Sequence, residues 1–129
     1  MIEDPNLTRR ILEYFASDDV KFPANKRVEE LKAEAFSEVD LSRLKYHVKC
    51  AAENGLLTVS IREHSSFQGV HFVFGYISGL TAAGGEFVRG SRSKYWDEAK
   101  EKVFSKGLEL TTGNVFQAMS NLISAALAQ

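Results

Sequence analysis

Cysteine is nearly missing from this chain. Cys50 is the only one in 129 residues, so no internal disulfide can form. A fold that does without cross-links fits a reducing compartment, and a cytoplasmic location is expected. Long apolar runs are absent too: none approaches the roughly 18 residues that a spanning helix needs. The chain does not open with a basic segment followed by an apolar one, so no secretory leader and no membrane partner are expected. Charge of one sign is also lacking, with 16 Lys+Arg against 17 Asp+Glu and a net charge of −1. That is not the strongly basic balance of a non-specific nucleic-acid binder. Phosphate-loop and nucleophile-elbow motifs are missing, since Gly84-Gly85 lacks the lysine of GxxxxGK[ST] and no GxSxG occurs. Three scattered histidines and no convincing carboxylate pair complete the list. The chain is expected to be a non-enzyme without metal or cofactor.

What is present is the composition of one soluble globular domain, 44% hydrophobic and 26% charged. The charge is uneven. Glu3, Asp4, Glu13, Asp18 and Asp19 outweigh Arg9 and Arg10 near the start, while the stretch from Arg89 to Lys106 is rich in bases.

The most organised stretch is Asp40 to Gly55, DLSRLKYHVKCAAENG. Asp40 is a good N-cap and Asn54-Gly55 a good stop. Between them Leu41, Leu44, Val48, Ala51 and Ala52 share one helical face, and Ser42, Arg43, Tyr46, Lys49, Cys50 and Glu53 share the other. Two helices precede it. The first begins at Asp4 with Pro5 in the first turn, carries Leu7, Ile11 and Phe15 on one stripe, and ends at Ser17-Asp18-Asp19. The second runs from Asn25 as cap to Ala35. Val20-Lys21-Phe22 reads as a minor edge strand between them. Strands follow over Leu56–Arg62 and Val70–Ile77, joined by a loop of about six residues, His64 to Gly69, with Phe67 near its tip. On these strands Leu57, Val59 and Ile61 form one face, and Val70, Phe72, Phe74 and Tyr76 another.

Three helices complete the chain. Thr81 caps one that contains Gly84-Gly85, where glycine implies close packing. Ser93 caps another, through Lys106, with Trp96, Ala99 and Val103 inward. The last spans Thr112 to Leu127 with a wide apolar stripe, and no residue after Glu109 is charged.

Helix, helix, helix, hairpin is the order of a winged helix-turn-helix. The expected fold is α+β, mostly α: a winged helix-turn-helix with a β-hairpin wing and additional C-terminal helices. It forms a single domain over 1–129, with 1–79 as the winged core and 80–129 as a helical extension.

Several short motifs resemble one family. They are Asp4, Leu7 and Ile11-Leu12; Tyr46-His47-Val48; Asn54-Gly55-Leu56-Leu57; Gly79-Leu80-Thr81 with Gly84 and Phe87; and Trp96 with Lys100-Glu101-Lys102 ahead of the amphipathic last helix. With these, the chain resembles the small bacterial and phage-associated proteins of the domain of unknown function 2513 family. The resemblance implies a winged-helix-like fold and a phage or prophage setting. It supplies no catalytic residues. The chain departs from the family's pattern at Ala82, where an aromatic is common, and before Trp96, where the stretch is shorter and less acidic.

The leading functional expectation is a winged-helix DNA-binding regulator. Ser42, Arg43, Tyr46 and Lys49 would meet phosphates and base edges of double-stranded DNA, and Arg62, His64 and Phe67 would form the wing contact. The plainer reading is that the cations are solvated and the aromatics pack on the wing. The alternative function is a winged-helix protein–protein interaction module that binds or modulates a host factor. Arg89, Arg92 and Lys94 are the least neutralised part of the later basic run, which otherwise reads as a solvated face with weak ion pairs. His47 and Cys50, three apart, do not make a metal site without further ligands, and no CxxC or HxxxH supplies them. A homodimer is expected through the last helix, at Val115, Phe116, Met119, Leu122, Ile123 and Leu127.

Overall fold

The computed structural model describes residues 1–128. The described residues form six helices and one two-stranded antiparallel sheet, an α+β fold that is mostly helical. The order is α1 (Pro5–Ala16), α2 (Val28–Ala35), α3 (Leu41–Glu53), β1 (Leu57–Ser66), β2 (Gly69–Leu80), α4 (Ala82–Ser91), α5 (Tyr95–Ser105) and α6 (Thr112–Leu127). No helix among the described residues is long and apolar enough to cross a membrane.

Helix α1 starts as its sequence dictates. The Asp4 carboxylate accepts the Asn6 N–H at 2.9 Å, and Pro5 takes the first turn, where its missing N–H costs nothing. Leu7, Ile11, Leu12 and Phe15 are buried along one stripe, and α1 packs against α3, α4 and α6. It is the central strut of the molecule.

The segment after α1 corrects two expectations. Val20-Lys21-Phe22 is not a strand. The chain turns there and meets β2 just afterwards, where Ala24 N–H donates to Ser78 O at 2.7 Å, Lys26 N–H to Ile77 O at 3.1 Å and Ile77 N–H to Lys26 O at 2.7 Å. Asn25 does not cap α2. It stands at φ 51°, in the left-handed region, and the backbone beside it is committed to β2. The helix therefore starts at Val28, where Glu30 accepts the Arg27 N–H at 3.3 Å.

Helix α3 occupies its expected span. Asp40 holds the N-cap position, but its side chain makes no capping bond. Leu44, Val48 and Ala51 are buried, with Leu41 and Ala52 half-buried. The helix closes through Gly55 at φ 70°, which lets the Leu56 N–H return to Ala51 O at 2.9 Å.

The hairpin is longer and tighter than the sequence suggests. Pairing continues to Ser66 and Gly69, so Phe67-Gln68 alone makes the turn in place of a six-residue loop. Ladder bonds need only backbone, and the polar run from Glu63 to Ser66 pairs without any apolar signal. β1 has 10 residues and β2 has 12. The excess is taken up by register shifts between Thr58 and Val59 and between Val59 and Ile61. A bulge exchanges the two faces of a strand. Phe72 and Phe74 thus share a face with Ile61 and Glu63, while Ile77, not Tyr76, turns into the core.

The C-terminal helices are fitted closely to this frame. A Cβ at Gly84 would lie 2.1 Å from Leu56 O, so only glycine lets α4 sit on the start of the hairpin. Thr81 caps α4, accepting the Gly84 N–H at 3.0 Å and donating to Gly55 O at 2.5 Å. Phe87 meets Trp96 and Phe116 edge to face, at centroid distances of 5.7 and 5.6 Å. One core cluster runs from Leu7 through Leu44, Leu56 and Phe87 to Met119, spanning both the 1–79 and 80–129 portions.

Candidate interaction surface on α3 and the hairpin

The outer face of α3 is engaged by its own chain. Arg43 pairs with Asp4 at 3.1 Å. Lys45 pairs with Glu29 at 3.5 Å and lies 6.0 Å from the Phe74 ring centroid. Lys49 pairs with Glu53 and sits over Phe72, 4.7 Å from its centroid. Ser42 is exposed at the helix start. Tyr46 is half-buried, one turn before Cys50. Its hydroxyl is raised in pKa by Cys50, by burial, and then by the carboxylates of Glu3 and Glu109. The face proposed to read phosphates is therefore bordered by Glu3, Asp4 and Glu109.

His47 lies inside, not on the face. Its Nε2 accepts the Asp4 backbone N–H at 2.8 Å, so its proton is on Nδ1, which donates to Arg43 O at 2.8 Å. Both ring nitrogens are used, and His47 is not paired with Cys50. Burial pushes the Cys50 thiol up to about 11, with the Glu3 carboxylate adding to it.

The wing residues do not join α3 in a single face. Lys49, Ala52 and Glu53 line a shallow cleft of about 350 Å³ with Val59, Ile61, Glu63 and Phe72. Strand alternation turns Arg62 and His64 to the opposite side, where they stand across from Val73 and His71. Phe67 is fully exposed at the turn, and Val70, Phe72, Val73 and Tyr76 each keep about half their surface. Apart from Arg62 and Glu63, the projecting part of the hairpin carries no charged side chain.

The profile of a family described as "Hypothetical protein (DUF2513)" matches residues 3–109. The chain belongs to this family. No curated protein and no solved structure matches it. The match to DUF2513 covers α1 through α5 and ends at Glu109, before α6 begins.

In this DUF2513 protein, the residues expected to pair two subunits are divided. Val115 and Met119 belong to the chain's own core, because α6 uses its apolar stripe to cover α5 and α1. Neither is free to meet another subunit. Phe116, Leu122 and Ile123 are half-buried, and Leu127 is 82% exposed. Phe116, Met119 and Ile123 line an open groove of about 500 Å³ with Glu86, Arg89 and Tyr95. Sequence reasoning missed Glu3, which accepts the Thr112 N–H at 3.1 Å and so closes the start of α6 beside α3. A carboxylate near a helix N-terminus is a recognisable signal, but here the two lie 109 positions apart.

Proposed function

We propose that this protein is a winged-helix module that binds another protein, a host factor, through its hairpin. α1, α2 and α3 supply the helical part of the winged helix, and β1–β2 the wing. The observation that carries the reading is the contrast between the two halves of the surface. The cations of α3 are held in ion pairs beside Glu3, Asp4 and Glu109, whereas the hairpin displays Phe67, Val73 and Tyr76 to solvent. Exposed apolar side chains clustered on a projecting element mark protein contacts. The part is non-enzymatic: His47 is consumed by internal hydrogen bonds, and Cys50 is held as the neutral thiol.

Duplex DNA is the second reading. The order of elements and the exposed Ser42 and Arg43 at the start of α3 favour it. A phage-borne regulator would use that face.

One experiment separates the two. Tagged wild-type protein is recovered from host cells beside Phe67→Ser and Val73→Ser variants, and the same proteins are run against duplex DNA at two salt concentrations. The interaction reading expects one stoichiometric protein with the wild type, at least tenfold less with either variant, and no salt-sensitive shift of DNA. A salt-dependent shift that Arg43→Ala and Lys49→Ala abolish, with no protein recovered, would overturn it in favour of DNA.

A further inference from the structure

The hairpin has two outer edges, and they differ. β1 carries Arg62 and Glu63, and charges on an edge strand repel a stray partner strand. β2 has no Asp, Glu, Lys, Arg or Pro from Gly69 to Leu80. Near its end β2 is covered, since Lys26 exchanges two backbone bonds with Ile77. From Gly69 to Gly75, no strand among the described residues pairs with its outer side. That segment, GVHFVFG, is rich in β-forming residues and uncharged, the composition that seeks a partner strand.

The direction of the free backbone groups follows from the turn. In a hairpin closed by two residues the flanking pair is hydrogen-bonded, and hydrogen-bonded and open pairs then alternate. Ser66 and Gly69 flank the turn. Alternation therefore directs the N–H and C=O of Val70, Phe72 and Phe74 outward.

We propose that this edge pairs with the same edge of a second copy, antiparallel, about a two-fold axis at Phe72. The product is a continuous four-stranded sheet, β1–β2–β2–β1. In that register Phe72 meets the second copy's Phe72, and Val70 meets its Phe74, with about six new ladder bonds. Self-complementarity is what selects a second copy as occupant. Apolar meets apolar at each of these positions, and neither β2 strand brings a charge to the seam. The cation nearest the axis, Lys49 over Phe72, is already neutralised by Glu53 in its own chain.

This inference rests on reading the hairpin as a protein-docking element. It leaves Phe67 at the tip, and Arg62, His64 and Val73 on the far face, to be displayed twice on one sheet.

Sedimentation of the full chain across the micromolar range tests it. The wild type should double its weight-average mass as concentration rises. Phe72→Lys and Val70→Lys should each stay monomeric with unchanged circular dichroism, because both side chains are exposed. In a Cys50→Ser background, Phe72→Cys should oxidise to a covalent dimer at least tenfold faster than Phe67→Cys. A wild type that is monomeric throughout overturns the proposal. So does a dimer that survives Phe72→Lys but is lost in Leu127→Glu, which would place the interface on α6. A monomer that still captures a host protein through Phe67 and Val73 removes the dimer alone. A dimer that captures none removes only the host-factor reading.

Discussion

His47 and Asp4 are joined across 43 positions of sequence: the buried imidazole accepts the backbone N–H that precedes α1, at 2.8 Å. The same aspartate caps α1 with one carboxylate oxygen and pairs with Arg43 through the other. One turn of α3 thus holds the start of α1 at two points, His47 on the backbone and Arg43 on the carboxylate. His47→Phe preserves a ring of similar size but strands the Asp4 N–H. Loss of about 1–3 kcal/mol is expected in urea unfolding, with faster hydrogen exchange at Asp4 and Asn6. An unchanged unfolding midpoint would show that the bond does not hold the helices together.

Adjacent glycines in α4 should respond in opposite directions. Gly84→Ala drives a Cβ into Leu56 O and should cost on the order of 3 kcal/mol or prevent folding. Gly85→Ala meets only the Arg89 guanidinium, at 3.6 Å, and should stabilise by up to about 1 kcal/mol through helix propensity. Thermal unfolding of the two variants decides this, and equal effects would contradict the packing of α4 on Leu56.

Cys50 should be a slow thiol. Its pKa of about 11, set by burial and then by Glu3, lies above the ordinary 9.0. At pH 8 the folded chain then holds about a hundredfold less thiolate than a free cysteine, and Ellman's reagent should react correspondingly slowly until denaturant is added. The raised pKa also gives the stability a sign. The contribution of the neutral thiol is fully present below pH 9 and is lost as pH rises towards 11. Cys50→Ser should flatten that part of the alkaline profile. Rapid labelling of the native protein would contradict the burial.

The end of α6 should be dispensable for folding. Ser124 to Ala128 are exposed, and Leu127 keeps 82% of its surface. Truncation after Ser124 should change stability by less than about 0.5 kcal/mol. A loss several times larger would mean that this turn is covered in solution.

Much of the fold was legible in the sequence where the signal is local. Asp4-Pro5 marked the start of α1, and Thr81 that of α4. Gly55 marked the end of α3, and the apolar spacing of α6 gave its span. The candidate surface was legible only in part. Arg43, Tyr46 and Lys49 were assigned to the outer side of α3. The carboxylates of Glu3, Asp4 and Glu109 around them left no trace in local pattern, and neither did the bulges that turn Ile77 inward in place of Tyr76.

The sequence by itself determined the six helices, the presence of a hairpin and which face of each helix is apolar. Backbone periodicity and end-capping bonds depend only on residues a few positions apart, so they can be read along the chain. Tertiary structure alone decided that His47 is a buried linker, that Arg43 and Lys49 are engaged within the chain, and that β2 keeps one uncharged edge free. The placing of His47 and of Arg43 depends on groups brought together from 43 and 39 positions away. Packing supplies the enclosure that makes a buried imidazole keep its partners and a strand edge wait for one.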